Sequence, residues 1–195
     1  MKYASIDIET TGLDPKTCQV LSIGIIIDDL SKKLPYEQCP KLEIVPDLTR
    51  IEGDIFAINM NKHLIDEILN KTKVDDRDYV NPNKLYTSAI EFLVRHLGDR
   101  KAVVAGKCFA TFDDLFFKEI NKTCSQYREE RSDLIIWEKY RSRRILDPAP
   151  LYARLDDTEL PNLSKCLERL GEEPTNLHNA LGDAWDVCRL IRAKI

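Results

Sequence analysis

The segment that most constrains the fold is residues 20–27, Val-Leu-Ser-Ile-Gly-Ile-Ile-Ile. It is rich in β-branched residues and apolar over almost its whole length, which is typical of a β-strand covered on both faces. Tyr3–Glu9 predicts a preceding strand. The short turn around Gly12–Pro15 favours antiparallel pairing of the two strands.

The rest of the chain indicates an α/β fold. Strands are expected at 41–45, 101–106 and 144–147. Apolar residues at helical spacing predict helices within 56–69, between Pro82 and Gly98, from Asp113 toward Arg131, over 162–170 and over 179–193. Because strands come first and then alternate with helices, we expect a mixed sheet.

Length and composition limit the classes of protein. A chain of 195 residues suits one domain, which we expect to span residues 1–195. No apolar run approaches the roughly 20 residues that a membrane helix needs. The first residues lack the layout of a signal peptide, so we expect a cytoplasmic protein with no membrane partner. A net charge of −4 argues against coating of long DNA but allows a nucleic-acid end in a small cleft.

Two carboxylates follow the alternation of the first predicted strand. Asp7 and Glu9 are two residues apart, so they share one face while Ile6 and Ile8 share the other. Neighbouring carboxylates repel each other and need a partner if they are buried. Mg²⁺ and Mn²⁺ prefer oxygen ligands of this kind. A solvated strand face is the alternative interpretation of this pair.

Further acidic groups and a histidine stand where helices are predicted to begin. Asp113 and Asp114 follow the strand that ends at Gly106, and α/β proteins place ligand sites at such strand ends. His178 precedes Asn179, a candidate N-cap, and Asp183 lies in the first turns of that helix. The alternatives are acids that favour a helix N-terminus, and a surface histidine.

Three motifs occur in a fixed order: D-x-E-T-T-G from Asp7, F-D-x-x-F from Phe112, and H-x-A-x-x-D-A from His178. Together they resemble the motifs of the DEDD superfamily of 3′→5′ exonucleases, in its His-containing (DEDDh) branch. That branch includes the proofreading subunit of bacterial DNA polymerase III, RNase T and oligoribonuclease. The resemblance implies a ribonuclease H-like fold, with a five-stranded mixed sheet flanked by helices.

The resemblance also implies roles for individual residues. Two divalent cations, Mg²⁺ or Mn²⁺, would be held by the four acids Asp7, Glu9, Asp113 and Asp183. His178 matches the general base. The 3′-terminal nucleotide would be held by Thr10, Thr11, Gly12 and Leu13, with Leu13 as a wedge beside the last base, and by Asn59 or its neighbour Asn61. Relatives often carry an Asn before the second motif, where this chain has Cys108 and Phe109; Phe109 either packs in the core or stacks on a base.

The implied activity is metal-dependent 3′→5′ hydrolysis of single-stranded nucleic acid with a free 3′ end. RNA or a short oligonucleotide is the first expectation, a DNA exonuclease is the second, and a non-catalytic binding module is the third. Residues 118–144 combine Lys and Arg with Tyr127, Trp137 and Tyr140. This combination suits single-stranded nucleic acid, although the interspersed acids equally suit a solvated helix face.

Overall fold

A computed structural model describes residues 1–99, 101–126, 135–175 and 179–195 of the chain. The strands are β1 (Lys2–Thr10), β2 (Val20–Asp29), β3 (Lys41–Pro46), β4 (Arg77–Val80), β5 (Ala102–Ala105) and β6 (Arg141–Leu146). The α-helices are α1 (Ile55–Met60), α2 (Lys62–Asn70), α3 (Leu85–Leu97), α4 (Asp113–Gln126), α5 (Trp137–Tyr140), α6 (Ala149–Tyr152), α7 (Leu163–Leu170) and α8 (Ala180–Arg192).

The strands form one mixed sheet in the order β4-β3-β2-β1-β5-β6. β2 runs antiparallel to both β1 and β3, whereas the β3–β4, β1–β5 and β5–β6 pairs are parallel. The antiparallel start and the mixed sheet are therefore confirmed. The sheet has six strands rather than the expected five.

The additional strand is β4, a four-residue edge strand. Its sequence, Arg-Asp-Tyr-Val, begins with two charged residues and does not predict a strand. Arg77 is held by Glu43 of β3, with Nε 2.8 Å from Oε2, and by Glu67 of α2, with Nη1 2.7 Å from Oε2. The Arg77 and Glu43 side chains are almost completely buried. β4 thus owes its place to ion pairs with residues distant in sequence, which no local periodicity reveals.

The two faces of the sheet carry different helices. The Ile6 and Ile8 side chains belong to a core cluster with residues of α3 and α4, whereas Tyr3 and Ile26 pack with α8. Gly24 lies opposite Asp7 in the β1–β2 register. A Cβ atom on Gly24 would lie 2.3 Å from the main chain of Ala180, so glycine is what allows the start of α8 to rest on the sheet beside Asp7.

Both ends of α8 are fixed. At its start, the Asn179 side chain accepts a hydrogen bond from the Gly182 N–H at 2.9 Å, which confirms the predicted N-cap. At its end, Arg192 binds Asp28 of β2, with Nη2 2.6 Å from Oδ1. Residues on α8 are consequently held in a defined register against β1 and β2.

Residues 137–146 differ from their sequence interpretation. β6 begins at Arg141 rather than at 144, and the short helix α5 precedes it. Trp137 and Tyr140 are core residues, with 0% and 3% of their surfaces exposed. The suggestion that these two aromatics stack on nucleobases is therefore wrong, and Tyr127 lies outside the described residues.

Among the helices of the described ranges, none combines the length and the apolar character needed to cross a membrane.

Candidate active site

The strand alternation places two carboxylates where the sequence predicts them. Asp7 and Glu9 extend from the β1 face that carries α8, since Ile6 and Ile8 occupy the core on the opposite face. Glu9 is buried and Asp7 is partly buried. These acids therefore stand at the margin of the core rather than on an open strand face.

Asp183, in the first turn of α8, completes a cluster with this pair. One carboxylate oxygen from each of Asp7, Glu9 and Asp183 lies within 4.8 Å of the other two. Asp183 is 176 residues away from Asp7 in sequence, so the packing of α8 over Gly24 is what brings them together.

Asp113 adjoins the cluster at the start of α4. Its Oδ1 atom accepts a hydrogen bond from the Ile8 main-chain N–H at 3.0 Å. Ile8 separates Asp7 from Glu9, so this bond fastens the acid of the second motif to the strand of the first. The structure thus brings together all four acids that the sequence predicts as metal ligands.

Burial, together with mutual repulsion, raises the pKa values of these acids. Burial raises the pKa of Asp7 well above its usual range, and the charges of Asp113, Glu9 and Asp183 add to this effect. Burial, with smaller contributions from Glu9 and Asp186, raises the pKa of Asp183 to about 7. The repulsion identifies the cluster as a site that favours a cation.

The pKa of Asp113 is raised to about 8, chiefly by burial. Hydrogen bonds from its own main-chain N–H and from that of Ile8 oppose the rise, and the charges of Glu9 and Asp114 add to it. Desolvation therefore outweighs hydrogen bonding at this carboxylate.

Asp114 has different surroundings from its neighbour Asp113. Its carboxylate accepts hydrogen bonds from the Trp137 indole N–H and from Arg141 Nη2, each at 2.8 Å, and pairs with Lys118 at 2.7 Å. These partners neutralise Asp114 and tie α4 to α5 and β6. Asp113 is accordingly the acid available to a ligand, and Lys118 and Arg141 serve a structural ion pair.

The donor atoms fit a hard divalent cation, because carboxylate oxygens are the ligands that Mg²⁺ and Mn²⁺ prefer. A second observation points the same way. Ser22 lies opposite Glu9 in the β1–β2 register, is fully buried, and its Oγ atom has no hydrogen-bond partner among the described residues. Such an atom beside the acids suits the hydration shell of a bound ion. Sequence reasoning missed Ser22, although a lone hydroxyl in an apolar strand was the available signal.

The turn after β1 is held by its own side chains. The Thr10 hydroxyl donates to the Gly12 carbonyl at 2.7 Å, and the Thr11 hydroxyl donates to the Glu52 carbonyl at 2.6 Å. Asn61 is buried and donates from Nδ2 to the Thr10 carbonyl at 3.1 Å. The hydroxyls of Thr10 and Thr11 therefore shape the turn.

Exposed apolar side chains border this turn. Leu13 is 79% exposed, and Ile55 and Phe56 in the first turn of α1 are 78% and 80% exposed. The two segments are joined, since the Asp54 N–H donates to the Thr11 carbonyl at 2.7 Å. Phe56 is one of the apolar residues whose spacing predicts a helix here, and the structure places it on the exposed side of α1. Asn59 is exposed on the same helix.

Of the remaining predicted residues, Phe109 is described by the structure and His178 is not. Phe109 is completely buried and packs near Phe117 and Trp137, so it is a core residue. His178 lies outside the described residues, directly before the N-cap Asn179.

No family model and no curated protein matches the sequence. Solved structures do match. A zinc-bound complex of E. coli exonuclease I with single-stranded DNA superimposes with a TM-score of 0.68 at 14% identity, over 98% of this chain and 40% of that chain. Exonuclease I from Methylocaldum szegediense gives a TM-score of 0.62 at 18% identity, over 98% of this chain and 39% of that chain.

The chain thus spans about two fifths of the length of the exonuclease I chains that it matches. At these identities the similarity concerns the fold. The protein has the mixed α/β fold seen in exonuclease I, which is the ribonuclease H-like fold that its sequence predicts.

Proposed function

We propose that this protein is a metal-dependent 3′→5′ exonuclease acting on single-stranded nucleic acid. The observation that carries the proposal is the convergence of Asp7, Glu9 and Asp183 within 4.8 Å, with Asp113 bonded to the strand between the first two. The shared fold with exonuclease I supports the same conclusion.

Four acids would hold the divalent cations: Asp7, Glu9, Asp113 and Asp183. When bound, a pair of such ions lowers the pKa of a water molecule and stabilises charge on the attacking and leaving oxygens of a phosphodiester. The protein contributes the fixed position of the acids, because the Ile8 N–H bond to Asp113 joins β1 to α4 and the start of α8 rests on the sheet over Gly24.

His178 would act as the general base. Its ordinary pKa of about 6.5 allows a neutral imidazole to accept a proton at physiological pH. Its place in the sequence, immediately before the N-cap of the helix that carries Asp183, supports this role.

The apolar rim would receive the 3′-terminal nucleotide. Leu13 and Phe56 are exposed on two segments that are hydrogen-bonded to each other beside the acids. Every nucleobase has an apolar face, so stacking of this kind is tolerant of sequence. Asn59, exposed on α1, is a candidate polar contact in the same place. An end-binding site of this form requires a free 3′ terminus.

The substrate is RNA or DNA, and the two candidates rest on different observations. The sequence resemblance includes enzymes of both kinds. DNA is favoured by the structural matches, which include E. coli exonuclease I in complex with dT13 and with dA16 oligonucleotides.

The experiment that tests the proposal compares 5′-labelled RNA and DNA strands of one sequence, each with Mg²⁺, Mn²⁺ or a chelator. We expect cation-dependent shortening of at least one strand, with the preferred strand identifying the substrate. Asp183→Asn should abolish the cleavage. Asp157→Asn, which removes an acid that pairs with Arg169 and is not part of the cluster, should retain it. Cleavage that is insensitive to chelation or to Asp183→Asn would overturn the proposal.

A further inference from the structure

The β2 residues opposite the first two acids differ in what they place beside them. Gly24 pairs with Asp7 and has no side chain, and the main chain of Ala180 occupies the space where one would lie. Ser22 pairs with Glu9, so the two side chains stand on the same face of the sheet. Ser22 is therefore the polar side chain that β2 places beside the acid pair.

The surroundings of Ser22 leave its hydroxyl unsatisfied. Ser22 is 0% exposed, and its Oγ atom forms no hydrogen bond with any described residue. Its neighbours Leu21 and Ile23 are completely buried apolar residues. Burial of a hydroxyl without a partner destabilises a fold, so alanine would suit this strand better. The hydroxyl needs a hydrogen-bond partner that the described part of the chain does not supply.

The lengths of the two side chains indicate what that partner is. Residues directly opposite each other in antiparallel strands have Cβ atoms about 4.5–5.5 Å apart. The Ser22 hydroxyl is attached directly to Cβ, whereas two further carbon atoms separate the Glu9 carboxylate oxygens from theirs. The hydroxyl thus stays closer to the strand than the carboxylate does. A buried water molecule needs at least two polar partners, and Ser22, Glu9 and a bound cation would provide them.

We propose that Ser22 is an outer-sphere ligand of the bound cation, whose hydroxyl holds a water molecule of the hydration shell beside Glu9. This inference rests on the cation site of the proposed function and not on the cleavage reaction. Mg²⁺ keeps several of its waters when carboxylates bind it. Protein groups that hold the outer shell of a metal contribute to its affinity. Ser22 is a positioning residue, since it touches neither the cation nor the substrate.

Two properties of Ser22→Ala should change in different directions. The cation-free midpoint of thermal unfolding should be unchanged or higher by about 2–4 °C, because a buried hydroxyl without a partner has been removed. The affinity for Mn²⁺, measured by calorimetric titration, should nevertheless fall by about 10-fold, at the lower end of the loss caused by removing an outer-shell partner. Ser22→Thr, which keeps the hydroxyl, should restore most of the affinity.

Ser5 provides a matched control. It is completely buried on the same face of the sheet, but it lies opposite Ile26 and beside the Cys188 thiol, four residues before Glu9. Ser5→Ala removes the same atom away from the acid pair and should leave the Mn²⁺ affinity unchanged. An equal loss of affinity in Ser5→Ala and Ser22→Ala would contradict the inference, because the effect would then not depend on the place opposite Glu9.

The outcomes distinguish this inference from the proposed function. If Ser22→Ala binds Mn²⁺ as well as the wild type does, the role of Ser22 is wrong and the function is unaffected. A lower cation-free midpoint in Ser22→Ala would also overturn the role, since the hydroxyl would then be bonded within the protein. If the wild type binds Mn²⁺ but cleaves neither RNA nor DNA, the function is wrong, and a loss of affinity confined to Ser22→Ala still supports the role of Ser22. If the wild type binds no Mn²⁺, both are wrong.

Discussion

The Asp113 carboxylate accepts a hydrogen bond from the main-chain N–H of Ile8, at 3.0 Å, and so joins the start of α4 to the strand that carries Asp7 and Glu9. Because the donor is main-chain, the link does not depend on the side chain at position 8. Asp113, which is 105 positions after Ile8 in the sequence, is thereby fixed beside Asp7 and Glu9. The same contact brings three carboxylates into one small volume, and their repulsion has measurable consequences.

The first consequence concerns stability in the absence of divalent cations. The pKa values of Asp113 and Asp183 are raised to about 8 and about 7 in the folded protein. The folded state therefore retains protons that the unfolded chain releases above about pH 4. Since stability falls with pH wherever the folded state binds more protons, the free energy of unfolding should decrease between about pH 4 and pH 8.

This prediction is checked by thermal unfolding with a chelator across that range. Mn²⁺ should raise the midpoint most at the alkaline end, because a ligand that binds only the native state stabilises it. Asp183→Asn should raise the cation-free midpoint at pH 8 and reduce its slope. Asp157→Asn should lower the midpoint, because the Arg169 side chain holds the pKa of Asp157 below its usual range. An Asp183→Asn midpoint below that of the wild type at pH 8 would contradict the account.

The two neighbouring acids at the start of α4 should behave in opposite ways. Asp114 is 2% exposed and is paired with Lys118, Arg141 and Trp137. Asp114→Ala leaves the partly buried Arg141 and the buried Trp137 indole N–H without their partner, which costs about 3 kcal/mol, or a midpoint lower by about 6–12 °C.

Asp113→Asn should instead leave the cation-free midpoint unchanged or higher and weaken Mn²⁺ binding. Its amide oxygen can still accept the Ile8 hydrogen bond, so the fold is retained. Calorimetric titration and thermal unfolding of both variants measure the contrast. An equal loss of Mn²⁺ affinity in a stably folded Asp114 variant would contradict the different roles assigned to the two acids.

Phe56 offers a test of the apolar rim. Its side chain is 80% exposed, so Phe56→Ala should leave thermal stability almost unchanged. Loss of base stacking of about 1–3 kcal/mol should raise KM by about 5- to 160-fold. Leu155→Ala, at a fully exposed apolar position, is the matched control and should leave KM unchanged. Steady-state kinetics on a single-stranded oligonucleotide measure both, and an unaltered KM in Phe56→Ala would remove the rim from the substrate site.

Local periodicity explains what could be predicted from the sequence. The alternation of Ile6 and Ile8 with Asp7 and Glu9 places both acids on one face, and it does so in the structure. The side-chain chemistry of Asn179 likewise predicts the start of α8. These features depend on neighbours within a few residues, which are visible in the sequence.

The features that escaped prediction depend on distant partners. Arg77 becomes part of a strand because Glu43 and Glu67 surround it. Phe56 fits the same helical spacing whether it is buried or exposed, so the periodicity could not predict the exposure of its side chain. Trp137 has an amphipathic side chain, and its burial depends on packing against Phe117 and on Asp114, which accepts the indole hydrogen bond. Asp113 and Asp114 are adjacent in sequence. Their roles differ because Trp137 of α5 and Arg141 of β6 bind Asp114.

The activity that we propose for the acid cluster is the removal of nucleotides from a 3′ end. The most direct measurement follows a single-stranded oligonucleotide of the preferred type that carries distinguishable labels at its two ends, together with a circular strand of the same sequence, in Mn²⁺. We expect immediate release of the 3′ label as mononucleotide, retention of the 5′ label until the strand is nearly consumed, and an intact circle. Efficient cutting of the circular strand, or release of the 5′ label first, would contradict it.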